Sequence, residues 1–102
     1  MAKRTSNGMG IGVFQILTDV ESGDPAIIAK CAEDLGFASY WVPEHAAIPK
    51  GSADVYPGRQ DGQSVPDYLF KMPDPFIALT RAASLTTEIG LGTGIALVPE
   101  RN

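Results

Sequence analysis

Two Asp-Pro pairs, Asp24-Pro25 and Asp74-Pro75, constrain this chain more than any other feature. An aspartate can accept hydrogen bonds from the free N–H groups of a first helical turn. A proline at the first helical position has no N–H to lose. Each pair therefore opens a helix, and each helix lies between short apolar runs. Gly10 to Leu17 reads as a strand buried on both faces. After Asp24, residues Ile27, Ile28, Cys31, Ala32 and Leu35 fall on one helical stripe, and Gly36 suits the left-handed residue that ends a helix. Phe37 to Val42 is a second buried strand, halted by Pro43. The second helix carries Phe76, Ile77, Leu79, Thr80, Ala83 and Leu85, and a third strand is expected from Ile89 to Val98. Its closing Val98-Pro99-Glu100-Arg101 echoes Val42-Pro43-Glu44-His45. Strand, capped helix, strand, capped helix, strand is the order of parallel βαβ units.

The expected fold class is α/β, the N-terminal part of a TIM (β/α)8 barrel with about three parallel strands and two helices, the barrel incomplete. A whole barrel takes about 250 residues, and this chain has 102. Residues 1–8 are polar and expected to form a disordered leader, with Met9 an alternative start, and residues 9–102 form the partial domain. A long connection over 46–73, rich in Gly, Pro, Asp and Gln, leaves the C-terminal end of the second strand. A connection of that length suits a lid or binding loop.

Composition excludes several functions. Twelve Asp+Glu against 8 Lys+Arg give a net charge of −4, without the basic footprint of a nucleic-acid binder. No run approaches the roughly 20 apolar residues of a membrane span, and no apolar core follows Lys3 and Arg4 as a secretory leader requires. A cytoplasmic location is expected. The single cysteine, Cys31, forms no internal disulfide and reads as a small core residue, and no metal site is expected.

Chemistry is expected at Glu44-His45, at the end of the second strand. A histidine there moves a proton near neutral pH, and Glu44 fixes its tautomer or binds a hydroxyl. The bland alternative is a histidine on a surface loop. Gly90, Gly92 and Gly94 alternate along the third strand without the spacing of a dinucleotide fingerprint. They strip one face of side chains, which lets something flat lie against the backbone or lets neighbouring elements pack tightly. Trp41 reads as core or pocket wall, Arg81 as a solvated helix face, and Glu100-Arg101-Asn102 as a hold on a cofactor tail or simply a polar end.

Leu35-Gly36-Phe37-Ala38-Ser39-Tyr40-Trp41-Val42-Pro43-Glu44-His45, Ala46-Ala47-Ile48-Pro49, Met72-Pro73-Asp74-Pro75-Phe76, Leu91-Gly92-Thr93-Gly94-Ile95 and Pro99-Glu100-Arg101-Asn102 occur in this order. Together they resemble the N-terminal part of a luciferase-like monooxygenase, and most closely the coenzyme F-420-dependent oxidoreductases. The resemblance spans nearly all of Met9 to Asn102. It implies a barrel that binds a flavin or deazaflavin at the C-terminal ends of its strands. His45 then matches the histidine near the reactive face of the ring, and Glu44 matches a position acidic in many relatives. Gly92, Thr93, Gly94 and Ile95 match the segment that backs the ring, with a cis peptide between Gly94 and Ile95. The implied cofactor is coenzyme F-420, with hydride passed to or from a small organic substrate; the alternative is an FMN-dependent monooxygenase using molecular oxygen. A homodimer is the implied assembly of the full-length form, with neither nucleic acid nor membrane as partner. A reading of a different class is an inactive truncated domain or interaction module.

Overall fold

The computed structural model describes residues 8–18, 22–45 and 67–101. The leader and most of the long connection, 46–66, including Tyr56, lie outside the described residues. Strand β1 is Gly12–Phe14, helix α1 Pro25–Asp34, strand β2 Ser39–Val42, helix α2 Pro75–Ala83 and strand β3 Gly90–Thr93. Short 3-10 turns cover Asp67–Lys71 and Val98–Glu100. The strands form one parallel sheet in the order β1-β2-β3, with Phe14 beside Trp41 and Trp41 beside Gly92. This is the expected α/β architecture, and the barrel is not closed among the described residues.

Both helix starts follow the Asp-Pro reading. Asp24 accepts from the Ala26 N–H at 2.9 Å. Asp74 accepts from the Phe76 and Ile77 N–H groups at 2.8 and 3.1 Å. Gly36 follows α1 at φ +88°, a conformation in which a Cβ would crowd the backbone.

The helices bury small residues, not large ones. Ala29 and Ala32 of α1, with Ala78 and Ala82 of α2, are buried beside Tyr40, Val42, Leu17 and Ile89, and Ala26 of α1 is buried as well. Alanine stripes let both helices lie close to the sheet. The expected stripe is thus corrected: Ile28 packs partly on the core, whereas Ile27 is 61% and Leu35 72% exposed. Cys31 is also exposed and is not a core residue. The reason is geometric. Apolar periodicity identifies an apolar stripe, and it does not say whether that stripe or a neighbouring one of small residues lies against the sheet.

The strands are buried on one face only. Tyr40 and Val42 face the helices, while Phe14 and Trp41 stand on the other face, half-exposed. A closed barrel turns that face inward. Behind β2, the Tyr40 hydroxyl donates to Gln15 Oε1 at 2.6 Å, and Gln15 Nε2 donates to the Ser22 carbonyl at 2.6 Å. Burial, aided by the nearby Asp24 charge, pushes the Tyr40 phenol up to about 12.

Strands β1 and β3 are shorter than the apolar runs from Gly10 to Leu17 and from Ile89 to Val98. The β3 ladder ends where the Gly94 N–H donates to the Val42 carbonyl at 2.9 Å, and the following Gly94–Ile95 peptide is cis. The echo of Val-Pro-Glu is therefore not structural. Glu44 extends from a strand end, whereas Glu100 lies in a 3-10 turn. Two ties lock the helices. Arg81 stands on an exposed helix face as expected, and there its guanidinium donates to both Asp24 oxygens at 2.9 and 2.5 Å. Glu33 Oε2 accepts the N–H groups of Thr87, Glu88 and Ile89 at 2.9, 2.7 and 2.9 Å, fastening α1 to the start of β3.

Candidate functional site at the strand ends

Pro43 lacks the N–H that would continue the β2 ladder, so the chain leaves the sheet and turns Glu44 inward and His45 outward. Glu44 is only 4% exposed. Its Oε2 accepts the Leu97 N–H at 2.6 Å, and its Oε1 pairs with Nη2 of Arg101. The same Nη2 reaches Asp74 Oδ2 at 2.8 Å, and the guanidinium lies 4.4 Å from the centre of the Phe76 ring. One cation thus joins the end of β2, the N-terminus of α2 and the segment after β3.

This network shifts its members in opposite directions. The Glu44 carboxylate, and after it Asp74, raise the Arg101 guanidinium further above its ordinary range, against the opposing effect of burial. Burial pushes the Asp74 carboxyl up, but the Ile77 N–H, Arg101 and the Phe76 N–H outweigh it and hold the group below its ordinary value.

His45 is exposed and lines a cleft of about 190 Å³ with Glu44, Met72, Pro73, Asp74 and Pro75. The glycine-bearing segment lies at the same end of the sheet. Thr93 pairs with Val42, and Gly94 follows it. A Cβ on Gly94 would stand 3.2 Å from the Phe14 ring. Ile95 is 76% exposed and presents its side chain as bare apolar surface.

The residues expected from sequence separate into two groups. Glu44, His45, Gly94 and Ile95 gather at the C-terminal ends of β2 and β3, linked through the Glu44–Leu97 and Gly94–Val42 hydrogen bonds. Gly92 sits deeper, and its missing side chain is filled from within. A Cβ there would approach the Trp41 indole to 2.5 Å, so the flat group against this glycine is the protein's own tryptophan. Packing accounts for Gly92, and exposed apolar surface lies at the Gly94–Ile95 end. Arg101, one of the residues read as a hold on a cofactor tail or a polar end, pairs with Glu44 and Asp74. Sequence reasoning missed this clamp. Its members lie far apart along the chain, and no spacing signal joins them.

A planar apolar ring fits what is present. Ile95 offers an exposed apolar surface, Gly94 brings the backbone close, and Phe14 and Trp41 continue the apolar face. Among the described residues, no group of three His, Cys, Asp or Glu side chains is arranged to hold a metal, and no helix is long and apolar enough to cross a membrane.

Comparison with known proteins shows the family. The family model for luciferase-like monooxygenases matches residues 23–102. Uncharacterized proteins of Mycobacterium bovis and of two strains of Mycobacterium tuberculosis are each 35% identical over 78 residues, which is 76% of this chain. The chain spans only 28% of the length of those relatives. No solved structure matches it significantly. With three parallel strands, two capped helices and the family match over most of its length, the chain belongs to the luciferase-like monooxygenase family.

Proposed function

We propose that this chain forms the ring-facing part of a deazaflavin-dependent oxidoreductase that exchanges hydride between coenzyme F-420 and a small organic substrate. The observation that carries the reading is the exposed apolar side chain of Ile95, set beside Gly94 at the strand ends where His45 also lies. Family membership supports the coarser statement, a flavin-type oxidoreductase or monooxygenase. When bound, such a ring supplies the hydride chemistry. The protein's own tasks are then to orient, to exclude water and to move a proton. Gly94 and Ile95 back the ring and keep water from that side. His45 holds or accepts a proton at its imidazole, beside the cleft that takes the substrate.

Titrating the polypeptide encoded by the whole reading frame with F-420 and with FMN, and following ring fluorescence, tests this assignment. Saturable binding of F-420 in preference to FMN is the expected result. Binding of FMN alone overturns the deazaflavin assignment in favour of an oxygen-using monooxygenase. Binding of neither overturns the ring site.

A further inference from the structure

The loop that carries Ile95 follows the end of β3. Beyond the Gly94 N–H it has left the sheet, and within it Glu100 and Arg101 donate back to the Leu97 and Val98 carbonyls. Polar contacts that tie it to the rest of the protein include the Leu97 N–H to Glu44 and the Arg101 guanidinium to Glu44 and Asp74. Glu44 takes part in two of these three. Its carboxylate is almost fully buried, with one oxygen on a backbone N–H and the other on a cation. A buried carboxylate held in this way is costly to leave with either partner missing. Asp74 is fixed in turn, since its other oxygen caps α2.

We propose that Glu44 is a positioning residue and not an acid or base. With Arg101 and Asp74 it clamps the loop after β3 to the end of β2 and the start of α2, and so sets where Ile95 stands. The proposal rests on the ring-site reading for its functional consequence, although the clamp itself exists without a ring. Arg101 is the partner of both carboxylates, so its loss removes two of these three ties and leaves the Leu97 N–H on Glu44 to hold the loop. His45 follows Glu44 directly in the chain, so the same clamp holds the histidine's backbone at the mouth of the cleft.

The test uses the polypeptide of the whole reading frame with Glu44→Gln, Arg101→Gln, the double variant and Asp74→Asn, each checked for fold by circular dichroism. Three readouts are followed: hydrogen exchange of the Leu97 amide without ring, affinity for F-420 and FMN from ring fluorescence, and the pH–rate profile. Arg101→Gln is expected to speed Leu97 exchange and to weaken ring binding, each roughly tenfold. The double variant should be no worse than the more damaging single one, because both substitutions break the same unit. Asp74→Asn keeps a capping oxygen and should give a smaller change in the same direction, which preserves a test if Arg101→Gln does not fold. In Glu44→Gln the pH–rate profile should keep its shape. Unchanged Leu97 exchange in Arg101→Gln or, if that variant does not fold, in Asp74→Asn overturns the clamp. Loss of a limb of the pH–rate profile in Glu44→Gln, with Leu97 exchange and ring affinity unchanged, makes Glu44 an acid or base instead. If the unsubstituted protein binds neither ring, the ring-site reading fails while Leu97 exchange still decides the clamp.

Discussion

His45 and Gly92 illustrate how differently two residues of one site are used. His45 is exposed at the cleft, and its removal would take away the proposed proton-transfer group without disturbing the packed core. His45→Ala is expected to lower turnover roughly 10²–10⁴-fold while ring affinity stays near that of the parent. Steady-state kinetics beside ring-fluorescence titration checks this, and equal loss of both would make His45 a binding residue. Gly92 lies under the Trp41 indole, where a Cβ would approach ring carbons to 2.5 Å. A methyl group there forces the indole aside. Gly92→Ala should therefore cost about 1–3 kcal/mol of stability. Trp41 is the sole tryptophan, so its emission should report the displacement directly during denaturant unfolding.

At the scale of elements, the far end of the sheet is held by a charge. Three backbone N–H groups, those of Glu88, Ile89 and Thr87, converge on Glu33 and hold its carboxyl at about 2, against an ordinary value of 4.5. A carboxyl whose value is lowered on folding stabilises the folded state fully above its ordinary value. That contribution fades as pH falls from about 4.5 toward about 2, where the group takes up a proton in the folded state too. The melting temperature should accordingly drop across this window. The drop should be shallower in Glu33→Gln, which starts from a lower melting temperature at neutral pH. Melting curves by circular dichroism between neutral pH and pH 2 test the point, and parallel curves for both proteins would remove Glu33 from the account. Asp24 is lowered as well, chiefly by Arg81, and Asp74 in the net, so they contribute in the same direction and Glu33→Gln should not abolish the drop.

For the molecule as a whole, the described residues leave much apolar surface in water. Phe14 and Trp41 stand on the sheet face opposite the helices, and Ile27, Leu35 and Ile77 stand on the outer sides of the helices. Strands β1 and β3 are both sheet edges among the described residues. Surface of this kind drives association, and open strand edges give it a template. The 102-residue chain by itself should therefore self-associate as concentration rises. Size-exclusion chromatography with light scattering reads this directly, and a folded monomer that persists at high concentration would contradict it.

What the sequence alone determined is what short stretches of backbone decide. Asp24-Pro25 and Asp74-Pro75 start helices because the capping oxygen and the N–H groups it serves lie within three residues. Gly36 ends α1 by its own backbone conformation, and the alternation of strands and helices implies a parallel sheet before any contact is known. The place of His45 beyond a strand end follows from Pro43 next door. Tertiary structure decided the rest. Whether Ile27 and Leu35 or Ala26 and Ala29 face the sheet depends on how closely the helix approaches, since both stripes are apolar. Gly92 is filled by Trp41 only because the parallel register sets the two side by side. Glu44, Asp74 and Arg101 come together from three segments, and the attraction between charges acts through space, where sequence separation leaves no mark.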